Sequence, residues 1–296
     1  MSDEKKRGFV FHSSQGETEL SIEEVKQLAE QNDPDGLYAL GMAYLFGWDI
    51  ETDEQLGYKC LKEAADKGQT EAMTLLVRLF MQEEYTGIDR ETAAKMAITA
   101  AKDGIPEAQM FAGLAYMDGV GVQQDYSEAA RYFRLAANQG NDEARTDLAY
   151  LYLNGLGVEK DESKAFKMFR TAANNGNLNG IFHLAMCYEH GLGTKVDRAK
   201  AEEWYLKGGD SGDPFCFENL AQMYSERWDG HEPDPERAFE FYLRAANMGL
   251  SLSMFMVGLS YVQGTGVQPD LEEGRKWLRM AADSGIEEAK EVLSQL

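Results

Sequence analysis

The sequence predicts an all-α solenoid of about seven helix-turn-helix repeats, with a period of 36–37 residues. Three recurrences predict it. Glycines fall in register at Gly68, Gly104, Gly140, Gly176, Gly212, Gly249 and Gly285. A pair of small residues stands just before each, from Ala64-Ala65 to Ala281-Ala282, with Gly208-Gly209 as the variant. An aspartate recurs at Asp53, Asp89, Asp125, Asp161, Asp197, Asp234 and Asp270. A period of this size marks stacked helical hairpins, each unable to bury its apolar face alone.

Residues 1–20 read as an N-terminal arm, poorly ordered or extended, with Phe9, Val10 and Phe11 available to cover the end of the first helix or to dock elsewhere. Residues 21–34 form an N-terminal capping half-repeat. Ser21 and Glu24 make a capping box, and Asn32 takes the place of the recurring glycine, because Asn tolerates the left-handed backbone. Seven repeats then fill 35–287. The second has lost its turn glycines at Glu83–Tyr85, and the sixth carries an insertion around Trp228, with Pro235 after the capping Asp234. A C-terminal capping helix over 288–296 closes the stack with a Glu/Lys face toward water.

Within one repeat each recurring residue has a mechanical reason. In 107–118 the residues Ala108, Ala112, Gly113 and Tyr116 share a helix face that is small, with an aromatic at its end. Gly119 stops that helix and Gly121 supplies a second permissive turn position. Asp125 caps the next helix. There Ala129, Tyr132, Phe133, Ala136 and Ala137 pack back, and Gly140 ends it. Short turns make the two helices antiparallel neighbours.

The stretch ARTDLAYLYLNGLGVEKDESKAFKMFRTAANNG, 144–176, resembles the Sel-one-like repeats, a branch of the tetratricopeptide superfamily. The resemblance covers nearly the whole chain. It implies a right-handed solenoid in which the first helices line a concave surface, and a role as an adaptor.

Positions six, five and two residues before the first-helix aromatic vary from repeat to repeat, while the rest of the frame does not. On this reading the partner-binding groove comprises Tyr38, Met42, Met110, Leu114, Asp147, Tyr150, Phe182, His183, Met186, Glu218, Asn219, Gln222, Phe255 and Leu259. Methionine and aromatic surfaces adapt to peptide side chains. The competing reading buries the apolar members between helices and leaves Asp147, His183, Glu218, Asn219 and Gln222 exposed.

The net charge of −22, from 29 basic and 51 acidic residues, opposes nucleic acid and anionic membranes and favours a basic protein partner. Three cysteines, Cys60, Cys187 and Cys216, form no matched pair, and the N-terminal stretch has no apolar run; both point to a reducing, cytoplasmic setting. His183, Cys187 and His190 share a helix side, with Asp147 or Glu226 as conceivable fourth ligands, but Cys187 occupies a core column, so no metal is expected. No catalytic residues or cofactor are expected either. The Gly-x-Gly-Val turns follow helices and lack a lysine, so they are turns rather than phosphate loops. Trp204 and Trp277 fill packing columns, whereas Trp48 and Trp228 lie in turns. The expected function is a non-enzymatic scaffold holding a peptide or helix of another protein, with a monomer favoured. The alternatives are a small-ligand binder or weak hydrolase of the β-lactam-binding type, or a secreted effector.

Overall fold

The computed structural model describes residues 9–13, 16–227 and 232–296. Trp228 lies outside them. Among the described residues the chain is a succession of sixteen α-helices preceded by one two-stranded hairpin. It divides into two compact units, one reaching Leu151 and including Gly155–Lys160, the other holding Tyr152–Asn154 and Asp161–Leu296.

The first unit opens with strands β1 (Phe9–Ser13) and β2 (Gly16–Leu20), paired antiparallel with Phe9 opposite Leu20. Helix α1 (Ile22–Glu30) follows with the Ser21/Glu24 capping box formed, and Asn32 takes φ +60°. Three helical pairs come next: α2 (Pro34–Phe46) with α3 (Glu54–Asp66), α4 (Thr70–Met81) with α5 (Arg90–Ala100), and α6 (Pro106–Asp118) with α7 (Tyr126–Asn138). A single 3-10 turn over Ala101–Asp103 extends α5. Helix α8 (Asp142–Asn154) runs through the division between units. The second unit contains α9 (Glu162–Asn174), the pairs α10 (Leu178–His190) with α11 (Arg198–Asp210), α12 (Pro214–Ser225) with α13 (Pro235–Asn247) and α14 (Ser251–Gln263) with α15 (Leu271–Asp283), and the closing α16 (Glu287–Gln295).

All seven recurring aspartates cap their helices. The Asp161 carboxylate accepts from the Lys164 amide at 2.9 Å, and Asp125 accepts from both Ser127 and Glu128. In six repeats the aspartate also donates its own backbone N–H to the carbonyl of the first-helix aromatic, as Asp161 does to Tyr152 at 2.9 Å and Asp197 to Tyr188 at 2.8 Å. One residue thus closes the loop at both ends, and the bond is kept even between Tyr224 and Asp234, where the loop is one residue longer. The recurring glycines lie in the left-handed region, Gly176 at φ +90°. Asparagine or aspartate also caps several first helices, a column the sequence reading passed over; Asn177, for example, accepts from the Gly180 amide.

The second turn glycine is there for contact as well as for conformation. A Cβ on Gly157 would lie 2.2 Å from the backbone of Tyr126, and one on Gly193 2.0 Å from the Glu162 carbonyl oxygen. Each such turn rests on the first turn of the second helix one repeat earlier. The seams compensate in the same manner. Where the small pair is Gly208-Gly209, the facing residues are Cys216 and Phe217, and added Cβ atoms would lie 2.4 Å from the Cys216 sulfur and from the Phe217 ring. Close packing leaves no slack, so a larger side chain on one helix requires a smaller one opposite.

Candidate functional site

The variable positions sit on helices whose other faces are consumed by packing. In the first unit Ala108, Ala112 and Ala115 of α6 are buried. In the second, Cys216, Leu220, Ala221 and Met223 of α12 are buried as well. What remains at the variable positions differs residue by residue. Tyr150 is 42% exposed and Gln222 is exposed. Tyr38, Met42, Leu114 and Asp147 of the first unit are half-buried, as are Phe182, His183, Met186, Glu218, Asn219, Phe255 and Leu259 of the second. Met110 is only 5% exposed and packs as core.

Several of the half-buried groups already have neighbours. His183 stacks on Phe169 with ring centroids 4.8 Å apart and meets the edge of Phe182, and burial lowers its pKa, keeping the imidazole neutral. Glu218 accepts from the Ser253 hydroxyl at 2.9 Å. Asn219 donates to the Phe215 carbonyl. Asp147 is pushed up to about 7, first by burial and then by the nearby carboxylates of Glu143 and Asp118. It is therefore a carboxyl poised to change charge near neutral pH.

The aromatic that ends each first helix carries a cation in three successive repeats. Lys164 lies 3.9 Å over the Tyr152 ring, Lys200 5.3 Å over Tyr188, and Arg237 4.9 Å over Tyr224. Each cation stands three residues after its capping aspartate, so one short segment supplies both the cap and the ring's cover. Lys200 and Arg237 also meet acids, Asp197 at 2.6 Å and Glu202 at 3.5 Å.

Cys187 is fully buried with its thiol pushed up to about 12, and His190 faces Glu189 at 3.8 Å. Among the described residues no three His, Cys, Asp or Glu side chains are grouped to hold a metal ion, and no helix is long and apolar enough to cross a membrane. Trp277 is buried and Trp204 packs against the same core, while Trp48 stacks on the exposed Phe46.

The Sel1 repeat model matches residues 34–69, 106–141, 142–177, 179–213, 218–250 and 251–286. The crystal structure of c5321, a protective antigen of uropathogenic Escherichia coli displaying an SLR fold, is similar at 30% identity and a TM-score of 0.71, over 94% of this chain and 59% of that one. The present chain thus spans about three-fifths of that antigen's length. A Sel1 repeat protein from Oxalobacter formigenes matches at 24% identity and a TM-score of 0.52, covering 93% of this chain and 89% of its own. The immunity protein Pa5087 from Pseudomonas aeruginosa shares the fold at 14% identity and a TM-score of 0.50, covering 73% and 82%. No curated protein matches the chain. The α4–α5 pair falls between matched segments, yet it keeps two helices of nearly the same length, the capping Asp89 and the Ala100-Ala101 pair of its neighbours. With matched repeats over more than half of its residues, this chain belongs to the Sel1 repeat family.

Proposed function

We propose that this protein is a non-enzymatic adaptor that holds a segment of another protein along the variable positions of its first helices. Sel1 repeat proteins generally mediate protein–protein interaction. One observation carries the finer reading. Tyr150 and Gln222 occupy the same position of the repeat and are exposed, while the frame residues of their helices, such as Leu148, Leu151, Leu220 and Met223, are buried. The side chain at that position changes from repeat to repeat, and at these two places it reaches the surface. Tyrosine supplies a large amphipathic surface with few rotatable bonds, suited to such contact. The acidic excess favours a basic segment.

The test is site-specific photo-cross-linking in extract of the source cells. A benzophenone amino acid replaces Tyr150 or Gln222, and in control variants Leu135 of α7 or Met280 of α15. Adducts to one protein from the first two sites and none from the controls are expected. Adducts from the controls alone would overturn the proposal.

A further inference from the structure

The α4–α5 pair departs from its neighbours inside its core as well as in its turn, and the inner departure leaves a hole. In the repeat, a small residue on the first helix faces a large one twenty or twenty-one positions later. Equivalent positions read Gly41 and Leu61, Gly113 and Phe133, Ala185 and Tyr205, Ala221 and Tyr242, Gly258 and Leu278. The fit is tight: a Cβ on Gly113 would lie 2.4 Å from the Phe133 ring, and one on Gly258 2.8 Å from Leu278. In α4–α5 the pair is Val77 and Ala97. Three extra carbons on one side do not replace a missing ring on the other.

The consequence is a pocket of about 60 Å³ walled by Val77, Ala93, Ala94, Ala97, Phe111 and Leu114. It opens to solvent past Met81, which is 52% exposed, and past Arg90, which reaches Asp118 at 3.2 Å. The walls are mostly apolar, and the polar side chains that line the pocket are Arg90 and Asp118, paired with each other. Small-molecule sites usually measure about 300–1,000 Å³, so this pocket is too small for a cofactor and has room for the tip of one aliphatic side chain. Leu114 belongs both to its wall and to the variable first-helix positions.

We propose that this pocket is a specificity site that accepts the tip of a single leucine or methionine side chain from a basic peptide segment. The basic flank follows from charge: the chain carries 51 acidic against 29 basic residues, and Arg90, the cation at the mouth, is already engaged by Asp118. The proposal deepens the adaptor reading by naming what the bound segment presents at this point.

The test uses full-length protein with labelled alanine, valine and leucine methyl groups, titrated by NMR. The probes are acetylated, amidated peptides of sequence Lys-Lys-Leu-Lys-Lys, Lys-Lys-Ser-Lys-Lys and Glu-Glu-Leu-Glu-Glu. The leucine-containing basic peptide is expected to shift the Ala93, Ala94 and Ala97 methyl signals, and to bind ~10-fold or more tightly than the serine peptide. The double substitution Val77→Ala with Ala97→Phe restores the small–large pairing of the other repeats. It is expected to abolish those shifts while the helical circular dichroism is unchanged and the thermal midpoint is equal or higher. Single Ala97→Leu, a smaller filling, gives a second reading if the double variant fails to fold. Absence of methyl shifts in the wild type, or equal shifts in a folded filled variant, would overturn the proposal; equal binding of the acidic peptide would overturn the basic flank. Cross-linking at positions 150 and 222 does not depend on this pocket, so the two readings fail separately.

Discussion

Helices α4–α5 and α6–α7 are neighbours in one unit, built on the same frame and finished differently. Both have the capping aspartate, the small pair and buried alanines on facing sides. The α6–α7 pair adds two turn glycines at φ +70° and +68° and a fully buried Phe133. In α4–α5, Glu83 takes the left-handed position at φ +61°, one period after Gly47. Tyr85 stands where the second glycine would be. It stacks on Tyr58 of α3 with centroids 4.7 Å apart, and the Tyr58 hydroxyl donates to the Glu84 carbonyl at 3.0 Å. A side-chain clasp replaces a backbone contact. The comparison teaches that the helical hairpin is specified by its cap and its seam, whereas the turn glycines and the central ring are exchangeable devices.

The sharpest way to break that comparison is to remove the ring where it exists. Phe133→Ala should cost about 3–5 kcal/mol, because Gly113 opposite cannot fill the void. The control Ala97→Gly should cost about 1 kcal/mol, the helical penalty for glycine. Urea unfolding followed by circular dichroism measures both, and equal costs would mean that the two pairs do not differ as described.

A second test concerns charge where the pairs meet, since Arg90 of α5 holds Asp118 of α6, and Asp118 lies near Asp147. The folded-state pKa of Asp147 is raised, so between the unfolded value of roughly 4 and about 7 the native state binds more protons than the unfolded one. Stability therefore falls as pH rises through that window. Asp147→Asn should stabilise by on the order of 2 kcal/mol at pH 8–9, allowing for partial solvent screening, with the gain vanishing toward pH 4. A pH-independent difference would contradict the assignment. Next, Tyr58→Phe removes only the hydroxyl of the clasp and should cost about 1 kcal/mol. Smallest, Glu83→Gly should stabilise by about 0.5–1 kcal/mol, because the left-handed backbone strains every residue with a Cβ; the thermal midpoint reports both changes.

The frame was legible in the sequence because its requirements are local. Asp125 must cap, Gly140 must turn left, and Ala136-Ala137 must let a helix approach; each need is met by one residue type at one place. Asn32 at φ +60° follows the same logic. The pocket was harder to read because it arises from two residues twenty apart whose volumes matter only together. Its signal, alanine at 97 in a column of rings and leucines, was present in the repeats themselves. The burial of Met110 was equally hidden, since its column holds tyrosine, phenylalanine and glutamate elsewhere, and the neighbours on other helices decide. The β1–β2 pairing involves residues with no counterpart in later repeats, so the period offered no template for it.

The turn glycines that rest on the preceding helix have a bearing on how such a chain lengthens. At Gly157 and Gly193 the loop is clamped between two backbones, so an added residue there would pry neighbouring hairpins apart. The single extra residue of the periodic region falls instead in the sixth repeat's loop, between Tyr224 and Asp234. That loop is thus where evolution, or an engineer inserting a tag, can extend the protein without disturbing its register.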